Sequence, residues 1–210
     1  MTFVADTVNF REIVMKEPLL LATIQNSVID FLRGREDVVL FGAQAVNVYV
    51  SEPRATQDVD LMSVRASELA EELRAHLSQI FHIAVRVREV KGGAGYRIFQ
   101  LQKPGNRHLV DVRSVRTFPQ FQRLDGVLVL SPAELIASKV ISYRQRLGKP
   151  KSGTDWRDLA LLMLTFPELK CDPGPVTVCL QSASADQKVL ATWRDLVSQE
   201  IVPETEDDDF

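Results

Sequence analysis

Three runs of alternating apolar and polar residues follow one another with only short turns between them: FHIAVRVREV (81–90), YRIFQLQ (96–102) and HLVDVRSV (108–115). A period of two marks a strand with one face on a core. The intervening KGGAG and KPGN supply the glycine and proline that tight hairpins use. Consecutive hairpin-linked strands commit the chain to a sheet, and that sheet needs helices to cover it. Pro18 followed by LLLATIQNSVIDFLRG reads as one such helix, with Gly34 past its end. Leu69, Leu73 and Leu77 share a face of a second, over 66–78. A third begins at SPAELIASKVISYRQR, with Ser131 as N-cap, Pro132 at N1 and Glu134 at N3. Two more are expected over 154–165 and 186–199. Further strands are DVVLF (37–41), a run over about 57–63 and VLVL (127–130), with AQAVNVYV forming a helical turn after Gly42.

The expected fold is therefore α+β: a mixed sheet of four to five strands with flanking helices. Residues 1–130 form this core, 131–200 a helical C-terminal part, and 201–210 a disordered acidic tail. No apolar run approaches the eighteen or so residues of a membrane span. The N-terminus lacks the basic start and apolar stretch of a signal peptide. Cys171 and Cys179 are too few for a disulfide framework and have no neighbouring histidine that would make them zinc ligands, so a cytoplasmic setting is expected. The net charge of −3 conceals a local surplus, because residues 86–157 hold 15 of the 25 Lys and Arg. Such a stretch attracts polyanions whatever the overall balance.

RATQDVDLMS (54–63) carries the chemistry. Asp58 and Asp60 lie two apart in an extended run, so they point the same way, while Val59 and Leu61 point to the core. Two carboxylates this close raise each other's proton affinity unless a cation lies between them. Asp111 adds a third: Val110 and Val112 read as core-facing, which leaves Asp111 and Arg113 on the opposite face. A carboxylate cluster on one sheet surface suits Mg²⁺, held by protein carboxylates and substrate phosphates, in phosphoryl displacement. The competing reading pairs each aspartate with a nearby arginine.

LFGAQAVNVYVSEPRATQDVDLMS resembles the signature of the DNA polymerase β nucleotidyltransferase superfamily. That signature is a strand, a glycine, a helical turn, Asp-apolar-Asp, and a third Asp on a later strand. The Arg54-Ala55-Thr56-Gln57-Asp58-Val59-Asp60 form is similar to that of AbiEii-type toxins. SPAELIASKVISYRQR and KSGTDWRDLALLM resemble the later motifs of the same group, so the likeness spans roughly 38–165. It implies the nucleotidyltransferase fold and transfer of a nucleoside monophosphate from an NTP, such as ATP, to an acceptor hydroxyl. It implies Mg²⁺ on Asp58, Asp60 and Asp111, with Asp111 helping to deprotonate the acceptor. The triphosphate would meet the backbone at Gly42 and Ala43 and the ammonium of Lys139, with Asp155 and Asp158 holding Lys139 or an arginine. It also implies a toxin–antitoxin setting, with RNA as an acceptor and an antitoxin as a protein partner.

Two departures leave alternatives open. Ala43 stands where the group usually has Gly or Ser, and Thr154 where it has a lysine. A catalytically inactive binding module and an aminoglycoside-type small-molecule transferase therefore stand beside the toxin reading. His76, His82 and His108 show no ligand spacing and read as core or surface residues.

Overall fold

The computed structural model describes residues 20–90 and 92–203. Pro18 and the acidic stretch from 204 onward, on which two of the expectations rest, lie outside the described residues. Helix α1, Leu21–Leu32, buries Ile24, Val28 and Leu32 along one stripe and is followed by Gly34 at φ +75°. Strand β1, Val38–Phe41, is buried throughout and runs directly into helix α2, Gly42–Tyr49. Strand β2, Val59–Ser63, leads to helix α3, Ala66–Phe81. Strands β3 (Val85–Val90), β4 (Gly95–Gln100) and β5 (Arg107–Ser114) form the expected meander. Strands β6 (Phe121–Leu124) and β7 (Val127–Leu130) make one more hairpin. Helices α4 (Pro132–Arg146), α5 (Lys151–Thr165), α6 (Pro175–Ser182) and α7 (Gln187–Ser198) follow, with a short 3₁₀ turn at Pro167–Leu169.

The sheet has seven strands in the order β3-β4-β5-β2-β1-β7-β6, not four to five. It is mixed as expected: β2 pairs parallel with β5 and β1 with β7, and the other neighbours are antiparallel. Six of the seven correspond to strand segments read from the sequence, more than the four to five expected in the sheet. The seventh, β6, has mostly exposed residues and so lacks an apolar alternation. Its place is set by pairing with the wholly buried β7. Helix α3 also runs to Phe81, past the expected end, and His82 stops it with a left-handed φ of 52°. The strand expected from 81 therefore starts at Val85. Helix α5 starts at Lys151, so the basic KSG segment forms its first turn.

The core lies between the sheet and its helices. Helix α3 lies against β2, β3, β4 and β5 and buries Leu69, Leu73 and Leu77 completely. Helix α4 packs on α5, α6 and α7 and also touches α2. Ser131 Oγ accepts from the Glu134 amide, which fixes the start of α4. No described helix is long and apolar enough to cross a membrane.

Candidate active site

Gly42 joins β1 to α2 with φ +72°, and a Cβ there would lie 2.0 Å from Asp60 Oδ2. The position thus needs glycine twice, for its backbone angle and for the carboxylate packed against it. Asp60 is the second residue of β2, and its register partner on the parallel strand β5 is Asp111. Asp58 sits in the bend just before β2. All three carboxylates face one cleft of about 970 Å³. Val59, Val110 and Val112, on the other side of the same strands, are buried in the core.

The three acids differ in environment. Among the described residues Asp60 has no ion-pair partner; burial, with the charges of Asp58 and Asp111, raises its pKa to about 6. Asp58 is held below the ordinary carboxylate value by its bond to His108, against the opposing effect of burial. His108 Nδ1 lies 3.1 Å from Asp58 Oδ2, and Nε2 lies 3.3 Å from Asp111 Oδ1 at an angle that makes no hydrogen bond. The carboxylates of Asp111 and Asp58 push the imidazole up to about 9, although burial works the other way. Arg97 Nε donates to Asp111 Oδ1 at 3.0 Å.

His108 is therefore neither a core nor a plain surface histidine: it bridges two of the cleft carboxylates. Sequence spacing hides this. His108 and Asp111 are three apart, which in a regular strand puts them on opposite faces. The β4–β5 register shifts between Ile98, opposite Val110, and Phe99, opposite His108. The extra residue, Leu109, turns His108 to the side of Asp111. Arg97 was likewise missed as a site residue, because its contact with Asp111 depends on the β4–β5 register alone.

The opposite wall of the cleft comes from α4 and α5. Lys139 is buried and donates to Asp158 Oδ2 at 2.6 Å, with Asp155 Oδ1 at 3.8 Å. Arg54, from the segment that leads into β2, forms a two-pronged bond to Asp158 at 2.8 and 2.9 Å. Arg146 pairs with Asp155 at 2.8 Å. Gly42, Ala43, Asp58, Asp60, Asp111, Lys139 and Asp155 all line the cleft, whereas Asp158 lies behind the wall. Thr154 also lines it, with its hydroxyl turned back to the Lys151 carbonyl. Asp58, His108 and Asp111 each offer a ligand atom within 4.8 Å of the others'. The oxygen donors of Asp58 and Asp111, with Asp60 left uncompensated beside them, fit a hard divalent cation, while the protonated His108 acts here as a counter-charge and not as a ligand.

A family model described as the nucleotidyl transferase AbiEii toxin of type IV toxin–antitoxin systems matches residues 29–170. No curated protein matches significantly. Among solved structures, the Megavirus polyadenylate synthase superposes with a TM-score of 0.56 at 16% identity, over 72% of this chain. The aligned part is 32% of that enzyme, so this chain spans about a third of its length. JHP933 from Helicobacter pylori superposes with a TM-score of 0.51 at 11% identity, over 84% of this chain and 87% of its own. At these identities the superpositions establish a shared fold.

Proposed function

Because the chain belongs to the AbiEii nucleotidyl transferase toxin family, and is thus a nucleotidyltransferase, we propose that this cleft moves a nucleoside monophosphate from an NTP to a hydroxyl of RNA. The observation that carries the site assignment is the pairing of Asp60 with Asp111, beside Asp58, on a cleft that also presents Gly42 and the buried Lys139. Asp58, Asp60 and Asp111 would hold Mg²⁺. When bound, the ion supplies positive charge to the triphosphate and lowers the proton affinity of the attacking hydroxyl.

The chain's own groups do the rest. Amides at the start of α2, around Gly42 and Ala43, donate to the phosphates, and the loss of a side-chain hydroxyl at Ala43 leaves those donors in place. Lys139, anchored by Asp158, directs its charge at the triphosphate. Asp111 takes the proton from the acceptor oxygen as that oxygen attacks the α-phosphorus and pyrophosphate leaves. Arg97 and His108, which hold Asp111 and Asp58 here, share the counter-charge. Arg54, Arg97, Arg113, Arg146, Lys139 and Lys151 all line the cleft. Set against the four lining aspartates, Asp58, Asp60, Asp111 and Asp155, the six cations leave a positive surplus, which supports an anionic acceptor over a cationic aminoglycoside. A cognate antitoxin is the protein partner this reading includes.

Calorimetric titration of each NTP, with and without Mg²⁺, tests the metal site. Binding that needs Mg²⁺ and is lost in Asp58→Ala is expected. Equal binding without the metal would leave a nucleotide-binding module in place of the enzyme.

A further inference from the structure

The carboxylate row does not stop at β5. Asp60 is the register partner of Asp111, Asp111 of Arg97, and Arg97 of Arg88. Register partners on neighbouring strands share a face. Asp60, Asp111, Arg97 and Arg88 thus form one line from the floor of the cleft to the outer strand of the sheet. Arg86, two residues before Arg88, points the same way, as does Arg113, two after Asp111. The far side of these strands is covered by α3, and on the near side Arg86, Arg88, Arg97 and Arg113 are exposed.

Two features are hard to explain as ordinary surface. Arg88 stands directly opposite Arg97, whose own charge is matched by Asp111, so Arg88 adds a positive charge that nothing beside it offsets. Among the described residues, neither Arg86 nor Arg88 has an ion-pair partner. Lone charges on an outermost strand can serve only to discourage edge pairing, but Arg113, also without an ion-pair partner among the described residues, lies on the interior strand β5. Phe99 belongs to the same face. Its ring lies 5.0 Å from that of His108 and is partly exposed, where a base could stack on it.

Taking the cleft as a nucleotidyl-transfer site, we propose that the open face of β3, β4 and β5 is the track for a single-stranded RNA acceptor. The RNA's phosphates run over Arg86, Arg88 and Arg97, a base stacks on Phe99, and the reacting hydroxyl arrives at Asp111. Cationic side chains beside an aromatic ring are the combination that holds single strands without reading sequence. The partner is single-stranded because the face offers a stacking surface and a line of charges, and stacking requires an unpaired base. An acidic protein would use the charges and leave Phe99 idle.

Fluorescence anisotropy of a fluorescein-labelled single-stranded RNA, titrated over a range of salt concentrations, reads this directly. The proteins compared are wild type, Arg86→Glu/Arg88→Glu and Phe99→Ala. Losing two phosphate contacts lowers the slope of log affinity against log salt by about 1.4. Removing the stacking ring weakens binding by about tenfold. Mg²⁺-dependent NTP binding stays at the wild-type level in the double variant, which shows that it is folded. RNA binding unchanged in the variants, or none by wild type, would overturn the track. So would polyglutamate competing as well as RNA with Phe99→Ala without effect, which would assign the face to an acidic protein. RNA binding with this variant pattern but no nucleotide transfer would instead leave the track in place and refute the enzymatic reading.

Discussion

Asp60 and Asp111 stand directly opposite each other on the parallel β2–β5 ladder, with no residue between their Cα positions in the pairing. Facing carboxylates repel, and Asp60 has no ion-pair partner among the described residues while its pKa rises to about 6. The fold therefore carries a local electrostatic cost that a divalent cation would relieve.

Replacing Asp60 by Asn removes one charge from the cluster at nearly constant volume. The metal-free variant is expected to be more stable than wild type by about 1 kcal/mol, or roughly 2–4 °C in Tm for a chain of this size. Wild type should gain Tm on addition of Mg²⁺, and Asp60→Asn should lose most of that gain. Thermal melts with and without the ion make the comparison. Equal responses of the two proteins to Mg²⁺ would remove Asp60 from the metal site.

Gly42→Ala should be far more damaging than a single methyl suggests. Its Cβ would fall 2.0 Å from Asp60 Oδ2, and the φ of +72° disfavours any side chain. A loss of about 1–3 kcal/mol is expected, with displacement of the Asp60 carboxylate and weaker Mg²⁺ binding. Denaturant unfolding and Mg²⁺ titration read the two effects separately.

The Asp158 anchor gives stability a pH dependence. Burial raises this carboxyl's proton affinity, but the bonds from Arg54 and the charge of Lys139 outweigh burial and hold its pKa below the ordinary value. The sign follows: stability from this group is complete above the unfolded value of about 3.9 and is lost as pH falls through the lower folded value. Asp158→Asn should flatten that acid limb and cost about 3–5 kcal/mol at neutral pH, since Lys139 is left buried without its closest partner. Urea unfolding at a series of pH values would show both.

Lys139→Met tests the triphosphate contact. The side chain is buried, so methionine conserves its packing while deleting the charge. NTP affinity should fall by about tenfold or more, the equivalent of about 1.4 kcal/mol, with Mg²⁺ binding retained. Unchanged NTP affinity would make Lys139 a structural partner of Asp158 and nothing more.

Much of this was legible in the sequence because local rules sufficed. The alternation in β3, β4 and β5 and the glycine turns between them gave the meander. The alternation of β2 and the valines flanking Asp111 placed Asp60 and Asp111 on one side of the sheet. Asp58, expected in the same strand, reaches the cleft from the bend before β2, which begins only at Val59. What stayed hidden depends on pairing between distant segments. Strand β6 carries no apolar alternation and exists because β7 offers it an edge. His108 reaches Asp111's face only through the irregular β4–β5 register, and its contact with Asp58 joins residues fifty positions apart. Arg54 lay in full view beside Asp58, but its bidentate bond to Asp158 required α5 to fold back over the segment.

Nucleotide transfer itself is the most direct test of the account. Each of the four α-³²P-labelled NTPs would be incubated with the protein, Mg²⁺ and total RNA, alongside the Asp58→Ala/Asp60→Ala double variant. The account predicts label on RNA from one or more NTPs with wild type and none with the double variant. Label on RNA from both proteins alike, or Mg²⁺-dependent NTP binding without transfer to any RNA, would contradict it.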